Sequence, residues 1–227
     1  MIKAVIFDFD GTLSNRKKNA YDIFDYYFKP FFSKMNEMEY EAMLQDMMLY
    51  DCNGTIDVHT RLIAFNEKYG SYLPEDFEEK FIPYYYNNMY RFSVLKPETV
   101  ETLLALREKG YKLGLLSNGD SFSQHNKIDH VKVAPYFDEV MVSGDLGVHK
   151  PDKEIFDRMA ERLGVNNEEC LMVGDVFSTD ILGAYNAEMP SAFVCTDPEK
   201  QMKYYKGYRI EDLRQILNVI ETIDKTV

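Results

Sequence analysis

Polar side chains follow four apolar runs of this 227-residue sequence, at the points where the runs end. These polar residues are Asp8 and Asp10, Ser117 and Asn118, Ser143, and Gly174 with Asp175. Lys150 lies in the loop after the third run. Carboxylates that converge repel one another unless a cation joins them, and oxygen ligands without a nearby His or Cys cluster favour Mg²⁺ over zinc. A metal, a lysine and a hydroxyl around a carboxylate suit phosphoryl transfer.

The apolar runs predict the strands that position these residues. Each run is nearly continuous and rich in β-branched residues, which is typical of a strand buried on both faces. The predicted strands are residues 2–7, 111–116, 139–142, 170–173 and 191–195. The predicted helices are residues 97–109, 152–163, 178 or 179 to 187, and about 211–222. This alternation predicts an α/β fold, a Rossmann-like three-layer parallel sheet whose ligands bind at the carboxyl ends of the strands.

Residues 15–92 interrupt the alternation. They contain helical patterns and no strand-like run, and they hold 19 of the 32 aromatic residues. We expect a helical domain at 15–92 inserted into an α/β core domain at 1–14 and 93–227. The aromatic residues either fill a small helical core or form a stacking platform for a base or another flat group.

Four ordered motifs resemble those of the haloacid dehalogenase (HAD) superfamily. They are DFDGTL at 8–13, LLSNG at 115–119, GVHKP at 147–151 and GDVFSTD at 174–180. The resemblance extends over the whole chain, because residues 15–92 match the small helical cap that these enzymes carry between the first two motifs. Within the superfamily the chain is most similar to the pyrimidine nucleotidase and phosphoglycolate phosphatase branch.

The resemblance implies a role for each acidic residue of the motifs. Asp8 would be the nucleophile that forms an aspartyl-phosphate, and Asp10 would act as general acid and then as general base. Mg²⁺ would be held by the Asp8 carboxylate, the Asp10 main-chain carbonyl and Asp175. Dehalogenase members need neither a second aspartate nor a metal, so Asp10 and Asp175 together favour phosphate chemistry.

The other motif residues are assigned to the phosphate and to support of the site. By resemblance, the residues that bind the phosphate are Ser117, Asn118, Gly119 and Lys150, with main-chain N–H groups contributed by Asn118 and Gly119. Asp180 would orient Lys150 or a metal-bound water. Thr12 either caps a turn or contacts the phosphate. Catalysis would therefore rest on Asp8, Asp10, Ser117 and Lys150.

The leading interpretation is an Mg²⁺-dependent phosphatase acting on a small phosphorylated metabolite. A nucleoside monophosphate is the first expected substrate, because of the aromatic helical region and the SNG and GVHKP motifs. A phosphomutase and a phosphoglycolate or sugar-phosphate phosphatase are alternatives on the same scaffold. A catalytically silent binding protein is the alternative outside enzymes.

Charge and composition limit the partners that we expect. The net charge of −12 disfavours nucleic acid polymers and anionic membranes. No apolar run reaches the roughly 20 residues of a membrane span, and the first residues lack the features of a signal peptide. Three widely spaced cysteines do not form a disulfide framework. We expect a cytoplasmic protein that is a monomer or a homodimer.

One position departs from the family pattern after the fourth motif. The family usually has Asn-Ala-Gly there, where this chain has Asn186, Ala187 and Glu188. Either Glu188 adopts a positive φ, which costs roughly 1 kcal/mol for a residue with a side chain, or the helix ends differently.

Overall fold

The structure is a computed structural model that describes residues 1–226. It divides into two compact units. One comprises Met1–Ser14 together with the chain from Leu95 onward, and the other is Asn15–Val94.

The first unit is built on a six-stranded, all-parallel sheet with the order β3-β2-β1-β4-β5-β6. The strands are β1 (Ala4–Phe7), β2 (Lys112–Ser117), β3 (Glu139–Val142), β4 (Cys170–Gly174), β5 (Ser191–Val194) and β6 (Tyr208–Ile210). The predicted α/β class and parallel sheet are confirmed, and the five predicted strands are present. The sixth strand was not predicted, because it is a short edge strand in a segment rich in Lys and Tyr that has no apolar run.

The register of the sheet aligns the ends of its central strands. Phe7 of β1 lies beside Leu115 of β2 and Val173 of β4. Because the strands are parallel, the residues that follow them emerge at the same edge of the sheet. The strand order also reverses at β1, which separates the β2–β3 side from the β4–β6 side. Such a switch point is where open α/β sheets bind ligands.

The second unit is helical. Its helices are α1 (Arg16–Phe28), α2 (Glu37–Asp51), α3 (Val58–Tyr69) and α4 (Phe77–Asn88), with 3₁₀ turns at Cys52–Gly54, Gly70–Tyr72 and Met89–Phe92. Phe24, Phe28, Phe65 and Phe81 are fully buried in its interior. The ring centroid of Phe28 lies 5.1 Å from that of Phe65 and 5.1 Å from that of Phe81. These rings therefore form the core of the helical unit rather than a stacking platform.

Helices cover both faces of the sheet. They are α5 (Thr99–Glu108), α6 (Ser121–His130), α7 (Ser143–Leu146), α8 (Lys153–Leu163), α9 (Leu182–Asn186) and α10 (Ile216–Thr226), with 3₁₀ turns at Ala134–Tyr136, Asn167–Glu169 and Leu213–Gln215 and a π-helix at Phe177–Ile181. Val5 and Phe7 of β1 belong to the apolar core formed with α5, α6 and α10. Ala4 and Ile6 belong to the core formed with α8 and α9. Alternate residues of one strand thus face opposite helical layers, which confirms the three-layer architecture. None of the helices found between residues 1 and 226 has both the length and the apolar content needed to cross a membrane.

Glu188 has a φ of 61°, so a non-glycine residue does occupy the left-handed region after α9. We expect Glu188→Gly to stabilise the protein by about 0.5–1 kcal/mol, because strain relief exceeds the entropy that glycine adds to the unfolded chain. The thermal midpoint should rise by roughly 2 °C. Differential scanning calorimetry would measure this shift.

Glu161→Gly is the matched control for this substitution. Glu161 is exposed within α8, where glycine costs about 1 kcal/mol, so this variant should have a lower midpoint. A fall in the midpoint of Glu188→Gly would contradict the assignment of strain to Glu188.

Candidate active site

Three carboxylates meet at the carboxyl edge of the sheet. Asp8 follows β1, Asp175 follows β4, and Asp180 lies in the π-helix after β4. Each offers one oxygen, and these oxygens lie within 4.8 Å of one another. The parallel register of β1 and β4 brings them together from positions far apart in the chain.

The Lys150 ammonium bridges two of these carboxylates. Its Nζ donates to Asp8 Oδ1 and to Asp180 Oδ1, both at 2.7 Å. Lys150 is only 3% exposed. Burial disfavours the charge of Lys150, but the Asp180 and Asp8 carboxylates outweigh this effect and raise the pKa of the ammonium group. Lys150 therefore stays protonated at the centre of the cluster.

The second oxygen of Asp8 has no hydrogen-bond partner among residues 1–226. Burial raises the pKa of the Asp8 carboxyl to about 8, against the opposing effect of Lys150, and Asp180 and Asp175 add to the rise. A buried carboxylate that has an unpartnered oxygen and lies in a cluster with two further carboxylates is a group that a divalent cation would stabilise. The residues present therefore fit a hard metal ion held by Asp8 and Asp175.

Asp180 is held by partners on both of its oxygens. Oδ1 accepts from Lys150, and Oδ2 accepts from the main-chain N–H of Val176 at 2.9 Å. A Cβ on Gly174 would lie 2.3 Å from Asp180 Oδ2, so only glycine at this position leaves room for the carboxylate. This geometry suits Asp180 to orienting Lys150 rather than to binding a metal.

The loop after β1 folds against Asp175. Thr12 is fully buried, and its hydroxyl donates to Asp175 Oδ1 at 3.2 Å. Gly11 has a φ of +92°, and a Cβ there would lie 2.2 Å from Asp175 Oδ2. Thr12 thus contacts a carboxylate of the cluster, a role that neither of the two sequence-based expectations for Thr12 included.

The loops after β2 and β3 are joined by the side chain of Asn118. Its Nδ2 donates to the main-chain oxygen of Lys150 at 2.8 Å, and its Oδ1 accepts from the Lys150 main-chain N–H at 2.9 Å. The Gly119 N–H donates to Ser143 Oγ at 3.0 Å. Ser117 is buried at the end of β2. The Asn118 carboxamide therefore positions Lys150, which sequence reasoning did not anticipate.

The carboxylate of Asp10 is bound from α6 and lies outside the cluster of three. Lys127 Nζ donates to Asp10 Oδ2 at 2.6 Å, and Gln124 Nε2 donates to the same oxygen at 3.0 Å. Sequence reasoning did not identify Gln124 or Lys127. Their spacing of three residues places both on one helix face, but a face that buries polar groups produces no hydrophobic period.

Comparison with known proteins assigns the family. Residues 5–194 match the model of the haloacid dehalogenase-like hydrolases, which is most of the chain. The chain belongs to this family. The sequence motifs had indicated the same family, and the parallel sheet with its acidic edge supplies the fold that those motifs require.

Curated relatives of this haloacid dehalogenase-like hydrolase are phosphatases. The glyceraldehyde 3-phosphate phosphatase of Methanothermobacter thermautotrophicus is 36% identical over 60% of this chain, and the match spans 63% of that enzyme. The enzyme of the same name from Methanopyrus kandleri is 29% identical over 99% of this chain and all of its own length. The pyrimidine 5'-nucleotidase YjjG of Escherichia coli is 30% identical over 72% of each chain. The chain is accordingly a phosphoric monoester hydrolase of the family.

Solved structures agree with the fold. A HAD phosphatase from Thermococcus onnurineus is 26% identical, with a TM-score of 0.63 over 96% of this chain and 98% of its own. The putative HAD-hydrolase YfnB from Bacillus subtilis is 21% identical, with a TM-score of 0.74 and the same coverage. Both support the α/β architecture.

The raised pKa of Asp8 makes a prediction about stability in metal-free buffer. The folded state retains a proton on Asp8 that the unfolded chain loses above its ordinary pKa of 3.8. The contribution of Asp8 to stability is therefore full below about pH 4 and declines as pH rises to about 8. We expect Asp8→Asn to remove this decline and to raise the thermal midpoint near pH 8 by at least about 2–4 °C.

Thermal denaturation with chelator, from about pH 5 to pH 8, checks this prediction. Asp129→Asn is the control, because it removes one carboxylate at an exposed position of α6. Its midpoint should follow that of the wild type across the pH range. Parallel curves for the wild type and Asp8→Asn would show that Asp8 carries no such penalty.

Proposed function

We propose that this chain is an Mg²⁺-dependent phosphatase that hydrolyses a small phosphomonoester through an aspartyl-phosphate on Asp8. One observation carries the proposal. The buried Asp8 carboxylate has one oxygen on Lys150 and the other without a hydrogen-bond partner in the described chain, and it belongs to a cluster with the Asp175 and Asp180 carboxylates. This is the arrangement expected of a nucleophile that shares a metal ion with a neighbouring carboxylate.

The donor set supports magnesium. The groups that would hold the ion are Asp8, Asp175 and the main-chain carbonyl of Asp10, and all of them supply oxygen. Four carboxylates, those of Asp8, Asp10, Asp175 and Asp180, concentrate negative charge at the site, and the ammonium groups of Lys127 and Lys150 pair with three of them. A bound Mg²⁺ would offset this excess and the charge of the phosphoryl oxygens.

The first chemical step forms the covalent intermediate. A carboxylate oxygen of Asp8 attacks phosphorus, and the bond between phosphorus and the leaving oxygen breaks. The proton of the Asp10 carboxyl passes to that leaving oxygen, so an alcohol departs and Asp10 remains as carboxylate. Lys150 and Ser117 donate hydrogen bonds to the phosphoryl oxygens.

The second step reverses the role of Asp10. Its carboxylate takes a proton from a water molecule whose oxygen attacks the phosphorus of the aspartyl-phosphate. The bond between phosphorus and the Asp8 oxygen breaks, which releases inorganic phosphate and restores the Asp8 carboxylate. Asp180 keeps Lys150 aligned through both steps.

Glyceraldehyde 3-phosphate is the first substrate that we propose, because relatives of that activity match nearly the whole chain. A pyrimidine nucleoside monophosphate is the second, from the similarity to YjjG. Phe24, Phe28, Phe65 and Phe81 do not favour a nucleotide, since they are buried in the core of the helical unit. We propose that residues 15–92 are the cap that selects the substrate.

We also propose that the protein is cytoplasmic, because Cys52, Cys170 and Cys195 are free thiols.

Phosphate release tests the proposal. We expect purified protein to release phosphate from glyceraldehyde 3-phosphate or a pyrimidine nucleoside monophosphate with Mg²⁺, and not with chelator. Asp8→Asn should lose at least about a thousandfold in kcat, because the covalent route is closed. Asp129→Asn, at an exposed position, should keep the wild-type rate.

Two other results would redirect the assignment. Phosphate release that needs no metal and persists in Asp8→Asn would contradict the proposed mechanism. Phosphorylation of Asp8 by a sugar phosphate, without net release of phosphate, would instead assign a phosphomutase.

A further inference from the structure

The Asp10 carboxylate is fixed by two buried side chains of α6. Lys127 and Gln124 donate to the same oxygen, Oδ2, at 2.6 and 3.0 Å. Lys127 is 6% exposed and Gln124 is 5% exposed. The hydroxyl of Ser14 contacts the other oxygen, Oδ1, at 3.4 Å. Contacts from α6 on one side and from the β1 loop on the other define the plane of this carboxylate.

Stability does not explain this arrangement. Burying an ammonium group has a desolvation cost that a single ion pair often fails to recover. The Gln124 Oε1 atom is buried and accepts no hydrogen bond from residues 1–226, and leaving a buried acceptor unsatisfied is destabilising. Rotating the carboxamide would place Oε1 against the Asn118 main-chain oxygen, which only accepts, and against Asp10 Oδ2, which accepts from Lys127. The amide is therefore held with its NH₂ group toward Asp10 at a net energetic cost.

The second motif makes room for Gln124. Gly119 has a φ of +149°, and a Cβ there would lie 2.5 Å from Gln124 Nε2. The same Nε2 donates to the Asn118 main-chain oxygen at 2.9 Å, while the Asn118 side chain binds the main chain of Lys150. One loop thus sets the positions of both Lys150 and the side chain that holds Asp10.

We infer that Lys127 and Gln124 are positioning residues that orient the Asp10 carboxyl toward the leaving oxygen, an inference that rests on the proposed function. When the proton of Asp10 moves to the leaving oxygen and the bond from that oxygen to phosphorus breaks, the carboxyl plane must be aligned with the departing atom. Lys127 and Gln124 act through Asp10 and do not touch the phosphate.

A leaving-group series tests this inference. A phenol that leaves readily needs little protonation, whereas a poor leaving group depends on the acid. The measurement is kcat/KM for 4-nitrophenyl, phenyl and 4-methylphenyl phosphates, which reports the steps up to bond cleavage. We expect Lys127→Met to lose about 10–100-fold on phenyl phosphate and at most about threefold on 4-nitrophenyl phosphate. Gln124→Leu should also lose more kcat/KM on phenyl phosphate than on 4-nitrophenyl phosphate, but by a smaller factor than Lys127→Met.

The second half-reaction supplies an independent readout. A misaligned Asp10 also activates water poorly, so the aspartyl-phosphate should accumulate in Lys127→Met. With 4-nitrophenyl phosphate this gives a burst of nitrophenol close to one equivalent, followed by slow turnover. Lys127→Arg retains a cationic donor and should recover part of the loss on phenyl phosphate.

Controls separate this inference from the proposed function. Lys153→Met removes an exposed lysine that pairs with Asp157 and should leave the whole series unchanged. Among these variants, Asp10→Asn should have the kcat/KM that falls most steeply from 4-nitrophenyl to 4-methylphenyl phosphate. If it does not, Asp10 is not the acid, and the proposed mechanism fails together with the inference.

Other outcomes overturn the inference alone. Suppose that kcat/KM of Asp10→Asn depends steeply on the leaving group. If Lys127→Met then loses kcat/KM equally on all three substrates, or loses none, α6 does not orient Asp10. If Lys127→Met fails to fold, the leaving-group dependence of kcat/KM in Gln124→Leu tests the inference instead.

Discussion

The ammonium of Lys150 between Asp8 and Asp180 is the interaction on which the candidate site depends. Two carboxylates at such close range in a buried position repel each other, and one shared cation makes the pair tolerable. The cation must also be delivered from a third loop. The Asn118 carboxamide does this by binding both main-chain groups of Lys150, so β1, β2, β3 and β4 all contribute to one charge arrangement.

Three of the four glycines in the motifs follow from this close packing of polar groups. At Gly11, Gly174 and Gly119 an added Cβ would collide with Asp175, Asp180 and Gln124 respectively. In each case the space is taken by a polar side chain of the site rather than by an apolar core residue. The glycines therefore permit close approach of charged and amide groups, which is a constraint on the site and not on the stability of the sheet.

Most of the fold and the central cluster could be predicted because both have local sequence signals. Apolar runs such as residues 2–7 mark buried strands, and polar residues at their ends mark the ligand edge. Helix α6 lacks such an apolar signal, because its buried face includes the polar residues Gln124 and Lys127. The contact of Asn118 with Lys150 joins positions 32 residues apart, and no local pattern encodes it. The aromatic residues at 15–92 left two interpretations open, and burial assigns Phe24, Phe28, Phe65 and Phe81 to the core.

The balance of charge links the metal to the substrate. The chain carries a net charge of −12, and the site gathers the carboxylates of Asp8, Asp10, Asp175 and Asp180. A phosphomonoester dianion entering this field is repelled until the excess is compensated. In the proposed mechanism a divalent cation on Asp8 and Asp175 would supply that compensation and would lower the pKa of the Asp8 carboxyl, which would free it to act as the nucleophile. On this mechanism, binding of the metal and binding of the phosphomonoester would strengthen each other by the same factor. The unfavourable burial of Asp8 in the metal-free protein would thus make the proposed nucleophile depend on the ion.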